Sequence, residues 1–151
     1  MNMDLDPDFA PIATRIRDNV GRQGFMNHVG AELSELARGS CTLAVDRRPE
    51  LLQPVSWRRH RVPGRQCDHH RGRRVPRPTG APAEYKLNLL SPASGERLIC
   101  RARVIKPGHQ VAVVAADVFC VIDGVEKHTA TALASIAMLD EKTAERIKSP
   151  A

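Results

Sequence analysis

The clearest pattern of hydrophobic and polar positions lies in the C-terminal half, where the two kinds of residue alternate over long segments. Tyr85 and Leu87 share one side of the chain there, and Lys86 and Asn88 share the other. A period of two is typical of a β-strand that buries one face. The pattern predicts strands over residues 84–91 and 97–106. A long apolar, β-branched run predicts a third strand over 110–122, and residues 125–139 close the set as a fourth.

Short turns separate these predicted strands, at residues 92–95, at Pro107-Gly108 and at Asp123-Gly124. Asp-Gly is a strong signal for a two-residue hairpin, because both central residues of a type I′ turn need a positive φ. Strands at this spacing with short turns predict an antiparallel meander. One apolar face of such a sheet must be covered by another layer.

The N-terminal part predicts a single helix. Apolar residues recur at helical spacing from Phe9 to Val20. Asp6-Pro7 is typical of a helix start, and Gly24 is typical of a helix end.

A second β region is expected after this helix, with residues 25–29 leading into it. Residues 31–37 and 40–45 flank Arg38-Gly39 and predict a hairpin. His28 lies at the predicted junction of helix and strand, where a packing role is favoured over a catalytic one.

The segment 54–82 differs from the rest of the chain, since it shows neither helical nor strand periodicity. It contains eight arginines and one acid between residues 54 and 79, a net charge of +7 against +6 for the whole chain, so the remainder sums to −1. Such a composition buries too little apolar surface to offset its ordering entropy. A structureless stretch of this length is unusual inside a compact domain.

Length and composition predict one domain over residues 1–151. No run of about 18 apolar residues predicts a membrane span, and the acidic N-terminus does not resemble a signal peptide. The four cysteines show no paired spacing, so reduced thiols in a cytoplasmic protein are expected.

The composition of the unusual segment suggests two other chemistries, metal binding and nucleic-acid binding. Cys67-Asp68-His69-His70 suggests a metal, but no second Cys/His pair lies at metal-site spacing, so none is expected. The arginines can bind nucleic acid through phosphates. With Trp57 as the only aromatic residue in the segment, specific nucleic-acid recognition is not expected.

The flanking sequences resemble one family. Residues 25–33 (FMNHVGAEL), 48–53 (RPELLQ), 84–93 (EYKLNLLSPA) and 104–108 (VIKPG) look like a hotdog-fold acyl-CoA thioesterase of the PaaI type. The similarity covers about residues 20–53 and 84–140. The resemblance implies an α+β hotdog fold, in which an antiparallel sheet wraps a central helix, and it implies a homodimer or homotetramer that acts on acyl-CoA without a cofactor.

In the family a His-Gly-Gly motif introduces the central helix, and a catalytic carboxylate follows about two turns later. This motif does not occur in the sequence. Trp57, Arg58, Arg65 and Gln66 occupy the corresponding positions, and none of them can replace a carboxylate. The catalytic residues are therefore unknown, and the central helix is expected to be lost or disordered.

A shifted reading frame would explain the segment. Read from the second base with GC-leaning codons, Val55 to Val75 permits the translation FHGGVTAFLVDNATTIAAAAS, which restores the His-Gly-Gly motif, an acid and an alanine-rich helix. Trp57 has one codon, which ends in GG, so one glycine follows whatever codon comes next. The hidden aspartate spans the codons of Arg65 and Gln66.

The resemblance also indicates where CoA binds. The turn with Lys106, Gly108 and His109 lies near the place where hotdog thioesterases contact the nucleotide and pantetheine, and a lysine beside backbone N–H groups suits phosphate. A solvated hairpin explains the turn equally well. Asn88 and Ser91 are candidates for contact with the acyl or pantetheine portion.

The predicted function is hydrolysis of acyl-CoA or aryl-acyl-CoA thioesters, impaired in this chain. One alternative is a catalytically inactive hotdog protein that acts in binding or oligomerisation. A basic nucleic-acid-binding variant is a further alternative.

Overall fold

The computed structural model describes residues 8–48 and 79–139 as two helices and one six-stranded antiparallel sheet. The helices are α1 (Ala10–Arg22) and α2 (Gly24–Val29). The strands are β1 (Ala31–Ala37), β2 (Ser40–Asp46), β3 (Thr79–Leu89), β4 (Arg97–Lys106), β5 (Val111–Ile122) and β6 (Val125–Leu139). Their order across the sheet is β1-β2-β4-β5-β6-β3.

α1 packs on one face of the sheet, which we call the inner face. Its buried residues Ala13, Ile16 and Val20 follow helical spacing. They form one core with residues of β1, β2, β4 and β5, namely Leu36, Cys41, Leu43, Ala102 and Ala116. Full burial of a side chain such as Ile16 contributes about 2 kcal/mol, so the apolar stripe accounts for the docking of the helix.

The predicted turn at Asp123-Gly124 is confirmed. Asp123 has φ 50° and Gly124 has φ 76°, as a type I′ turn requires. The strands on either side pair from Ile122 and Val125 onward. The predicted bounds of β4 and β6 and the hairpin at Arg38-Gly39 are confirmed too.

The prediction of a simple meander was wrong for β3. This strand pairs with β6 at the edge of the sheet, so β5 and β6 lie between β3 and β4. Residues 90–96, which we call the crossing connector, therefore pass over the β5–β6 hairpin. The Gly95 N–H donates to Sγ of Cys120 (2.9 Å), and the Glu96 N–H donates to the Val121 carbonyl (2.8 Å).

β3 begins at Thr79, five residues before the predicted start. The last four residues of the segment predicted to lack strand structure, 79–82, therefore pair with β6. Pro82 is tolerated because β3 is an edge strand with a bulge between Pro82 and Glu84. The rest of that segment, with its predicted loss of the central helix, lies outside the described residues.

Residues 25–29 are helical instead of leading directly into a strand. The chain breaks at Gln23, which is extended, and Gly24 then opens α2. Gly30 ends α2 in the left-handed conformation (φ 65°) that favours glycine. His28 therefore lies in the last turn of α2. The predicted start signal, Asp6-Pro7, lies outside the described residues.

Candidate functional site

The turn between β4 and β5 holds three of the predicted substrate-binding residues. Lys106, Gly108 and His109 are all exposed there. A Cβ on Gly108 would lie 1.9 Å from the Val111 carbonyl oxygen, so only glycine fits this close approach. The carbonyl of Gln110 accepts a hydrogen bond from the Met138 N–H (2.8 Å), which ties the turn to β6. The turn presents a cation and an imidazole to solvent from a constrained backbone.

The other two predicted residues lie at the end of β3. Asn88 is exposed on the outer face, where it is paired with Thr131 of β6. Ser91 is half-buried in the crossing connector, and its Oγ donates to the His128 carbonyl (2.9 Å). The N–H groups of Leu90 and Ser91 both donate to the carbonyl of Thr129, the extra residue of a β-bulge.

The structure does not bring these two groups together. Asn88 is level with Asp117 on β5, whereas Lys106 is level with Val113, four residues along that strand. Four residues span about 13 Å, and three steps across the sheet span about 14 Å. The two backbones are therefore about 20 Å apart, and only an extended ligand can contact both groups.

A charged network on the outer face beside Asn88 was not predicted from the sequence. Asp117 accepts a hydrogen bond from Thr131 Oγ1 (2.8 Å) and one from Arg103 (3.1 Å). Its Oδ1 also lies 3.3 Å from Nε2 of His128. The bond from Thr131 is the main reason that the pKa of Asp117 is lowered, with Arg103 and His128 adding to it. Asp117 is therefore ionised and already engaged by three side chains.

Phe119 links this network to a second ion pair. The His128 ring stacks on Phe119 with 4.8 Å between centroids, and the Arg101 guanidinium lies 4.9 Å from the same ring. Arg101 forms a bidentate pair with Glu126, with both N···O distances 2.7 Å. This pairing lowers the pKa of Glu126 and raises that of Arg101. His128 is exposed, and it contacts Asp117 on one side and Phe119 on the other.

The outer network was not predicted, because single charged or hydroxyl residues on a strand are typical of solvated positions. The alternation of Arg97, Arg101 and Arg103 showed that one face of β4 is basic. Asp117 is the one charged residue in the apolar run from Val111 to Ile122. It is the feature of the sequence that could have indicated a charged network on this strand. Which acid faces which arginine depends on strand register, and that was not predicted.

The described residues offer no activated nucleophile among the thiols. Burial raises the pKa of Cys100 to about 12, with Cys41 and Asp117 adding to the effect, so the thiol stays protonated. Cys41 and Cys120 are buried. Within residues 8–48 and 79–139, no group of three or more His, Cys, Asp or Glu side chains is placed to hold a metal ion.

Trp57, Arg58, Arg65 and Gln66, which stand where the family has its catalytic motif, lie outside the described residues. None of the helices in the described part is both long and apolar enough to cross a membrane.

Comparison with known proteins identifies the fold. No protein-family model and no curated protein matches the chain. Among solved structures it is similar to a thioesterase family protein from Silicibacter pomeroyi, at 27% identity and TM-score 0.75 over 84% of this chain and 97% of that chain. A thioesterase from Haemophilus influenzae has 14% identity and TM-score 0.61 over 84% and 90% of the two chains. The E. coli PaaI protein has 10% identity and TM-score 0.67 over 85% and 93%.

These similarities confirm the resemblance that the sequence indicated. The chain has the hotdog fold of the thioesterase superfamily, which its structural neighbours, PaaI among them, share.

Proposed function

We propose that this hotdog chain of the thioesterase superfamily descends from an enzyme that hydrolyses acyl-CoA or aryl-acyl-CoA thioesters, and that it has lost most of that activity. The similarity to the Silicibacter pomeroyi thioesterase family protein, over 97% of that chain, supports the lineage. The missing His-Gly-Gly motif supports the loss.

Thioester hydrolysis explains why the missing motif matters. Water attacks the carbonyl carbon, a base takes the proton from that water, and the C–S bond breaks to release CoA as its thiol. Loss of a positioned general base costs about 10²–10⁴ in rate, and loss of an oxyanion donor costs roughly another 10² or more. A chain with arginine and glutamine where the family has its carboxylate should turn over very slowly.

Asp117 does not replace the missing carboxylate in this proposal. It lies on the outer face of the sheet, opposite the face that α1 packs against. Thr131, Arg103 and His128 hold it in its ionised form. Interactions that lower the pKa of a carboxylate also make it a weaker base.

The predicted substrate contacts remain proposals. Lys106 and His109 are exposed beside the backbone of Gly108, which suits the phosphates of CoA. Asn88 and Ser91 are proposed for the pantetheine or acyl portion, about 20 Å away across the sheet. A homo-oligomer and a cytoplasmic location are part of the same proposal.

The experiment compares two proteins side by side. One is the chain as given, and the other carries FHGGVTAFLVDNATTIAAAAS in place of residues 55–75. Release of free thiol is followed with short-chain, long-chain and aryl acyl-CoA substrates. We expect at least a hundredfold higher kcat/KM for the restored protein. Rapid turnover by the chain as given would overturn the proposed loss.

A binding-only protein is the second candidate, and the missing motif favours it too. It predicts that both proteins bind CoA esters in calorimetry, while neither releases thiol. The nucleotide sequence gives an independent check, because a stop codon in the shifted frame across codons 55–75 would exclude the frame-shift explanation.

A further inference from the structure

A bulge in β6 lies beside the start of the crossing connector. Thr129 is the extra residue of this bulge, because Val118 of β5 is paired with Ala130 and Phe119 with His128. The side chain of Thr129 is fully buried, and its Oγ1 donates to the Val118 carbonyl (3.1 Å). Bulges re-aim the backbone of a strand. The buried hydrogen bond therefore fixes the backbone of β6 at the point where the connector passes.

Both hydrogen-bond donors of Ser91 are engaged by the backbone of this bulge. Its N–H donates to the Thr129 carbonyl (3.2 Å), beside the N–H of Leu90 (2.8 Å). Its Oγ lies 2.9 Å from the His128 carbonyl oxygen. A carbonyl oxygen carries no proton, so the Ser91 hydroxyl must be the donor, and a hydroxyl has a single proton to give. Ser91 can therefore offer a ligand only the lone pairs of its oxygens.

The carbonyl that accepts the Ser91 hydroxyl belongs to a residue held by its own side chain. His128 stacks on Phe119 with 4.8 Å between ring centroids, and its Nε2 lies 3.3 Å from Oδ1 of Asp117. Movement of the His128 backbone away from Ser91 would disturb both contacts. Rotation of the hydroxyl toward a ligand would break its bond to the carbonyl, and this costs free energy. The structure thus favours one orientation of the hydroxyl.

A hydrogen-bond acceptor at Ser91 discriminates between the parts of an acyl-CoA ester. The thioester carbonyl and the acyl chain carry no N–H or O–H group, whereas the pantetheine arm carries amide N–H groups. A thioester carbonyl placed against Ser91 Oγ would bring the lone pairs of two acceptors together and leave both unpaired. An amide N–H placed there completes the hydrogen bonding of the hydroxyl.

We propose that Ser91 contacts the pantetheine arm of the ligand as a hydrogen-bond acceptor, with its Oγ accepting an amide N–H and the β6 bulge fixing its orientation. This inference rests on the proposed function, since it takes a CoA ester as the ligand. It assigns Ser91 to the pantetheine portion and not to the acyl portion. It also excludes Ser91 as a donor to an oxyanion, because an oxyanion is stabilised by hydrogen-bond donors.

Ligands that differ by a single N–H group test this assignment. The probes are a non-hydrolysable thioether analogue of acyl-CoA and a pair of ester analogues of it, each with a different pantetheine amide replaced by an ester. Calorimetry gives the Kd of each probe for the chain as given and for S91A. We expect the chain as given to bind one ester analogue about fivefold more weakly than the parent probe, and S91A to bind these two probes equally. A change that S91A makes to the fold affects all probes alike, so the ratio of Kd values isolates the hydrogen bond.

S34A is the matched control. Ser34 Oγ also donates to a backbone carbonyl, that of Thr42 (3.2 Å), but it lies on β1 at the opposite edge of the sheet from β3. S34A should keep the fivefold ratio that S91A removes.

Three other outcomes are informative. Equal binding of the parent probe and both ester analogues by the chain as given, or a ratio that survives in S91A, would overturn the acceptor role and leave CoA binding intact. A thioester probe that binds more tightly than the thioether only when Ser91 is present would show donation to the thioester carbonyl, and would overturn it too. Absence of binding by every CoA probe would overturn the proposed function and the role of Ser91 with it.

Discussion

Thr131 on β6 donates a hydrogen bond to Asp117 on β5, with 2.8 Å between Oγ1 and Oδ1. The bond joins two central strands on the outer face, at the level where Asn88 of β3 pairs with Thr131. It is also the largest contribution to the lowered pKa of Asp117. The Thr131 hydroxyl therefore stabilises the negative charge of Asp117 in the middle of the sheet.

Removal of the hydrogen bond from Thr131 to Asp117 should lower the free energy of unfolding at neutral pH. It should also make that free energy depend less on pH in the acid range. The pKa of Asp117 is lower in the folded chain than in the unfolded chain, whose value is about 3.9. The stability that this shift contributes is present above about pH 4 and is lost as pH falls through the folded-state pKa. We expect T131V to cost about 1 kcal/mol at pH 7 and less near pH 3, measured by urea unfolding.

T14V is the control for this prediction, because Thr14 Oγ1 donates to the Ala10 carbonyl (3.1 Å) on the exposed side of α1. Its effect should be small and independent of pH. Equal losses for T131V at both pH values would contradict the role assigned to Asp117.

The crossing connector should not tolerate a side chain at Gly95. A Cβ there would lie 1.9 Å from the Val121 carbonyl oxygen and 2.7 Å from Sγ of Cys120. Because a backbone atom cannot move aside easily, G95A should cost about 1–3 kcal/mol. G21A is the matched control, since nothing lies within 4 Å of a Cβ on Gly21 and alanine favours the helix by up to about 1 kcal/mol. Thermal unfolding should move in opposite directions for the two variants.

The described thiols should be unreactive while the chain is folded. Cys41 and Cys120 are buried, and burial raises the pKa of Cys100 to about 12. In a C67S background, iodoacetamide at pH 8 should label less than about a tenth of the thiols in the folded protein and all of them in urea. Rapid labelling of one thiol, identified by mass spectrometry, would show that its strand opens readily.

Lys106 should contribute to CoA binding through a charge-assisted hydrogen bond to phosphate. Loss of one such bond costs about 1.5 kcal/mol, or roughly tenfold in affinity. K106A should therefore raise the Kd for CoA about tenfold in calorimetry, with a smaller effect at high salt. K127A removes an exposed lysine outside the predicted site and should leave Kd unchanged. Equal effects of the two variants would indicate general attraction to the basic chain.

Local features were predictable because they depend on neighbouring residues. The period of two along β4 gave its bounds, and the helical spacing of Ala13, Ile16 and Val20 gave the buried face of α1. Asp123-Gly124 predicted its own turn, since few other dipeptides accept two positive φ values. The resemblance of the flanking segments added the hotdog fold, which the structural similarities confirm.

The placement of β3 was not predictable in the same way. A turn signal at residues 92–95 shows that the chain changes direction, but it does not show which strand the chain has just left. Pairing of β3 with β6 is a long-range register that runs from Thr79↔Leu139 to Leu89↔Ala130, and the bonds from Leu90 and Ser91 to Thr129 extend it. The start of β3 was missed because residues 79–82 show no strand periodicity, and a proline is accepted in a strand only at an edge or a bulge, both of which tertiary structure supplies for Pro82.

The sequence by itself therefore determined the strands, the turns, the amphipathic helix, the fold family and the loss of the family's catalytic motif. Tertiary structure decided strand order, and with it which side chains meet on the outer face. Asp117, Thr131 and His128 meet there because the antiparallel register of β5 and β6 aligns residues that are separated along the chain. Cross-strand register is a property of long-range packing, and no local pattern of hydrophobic and polar residues encodes it fully.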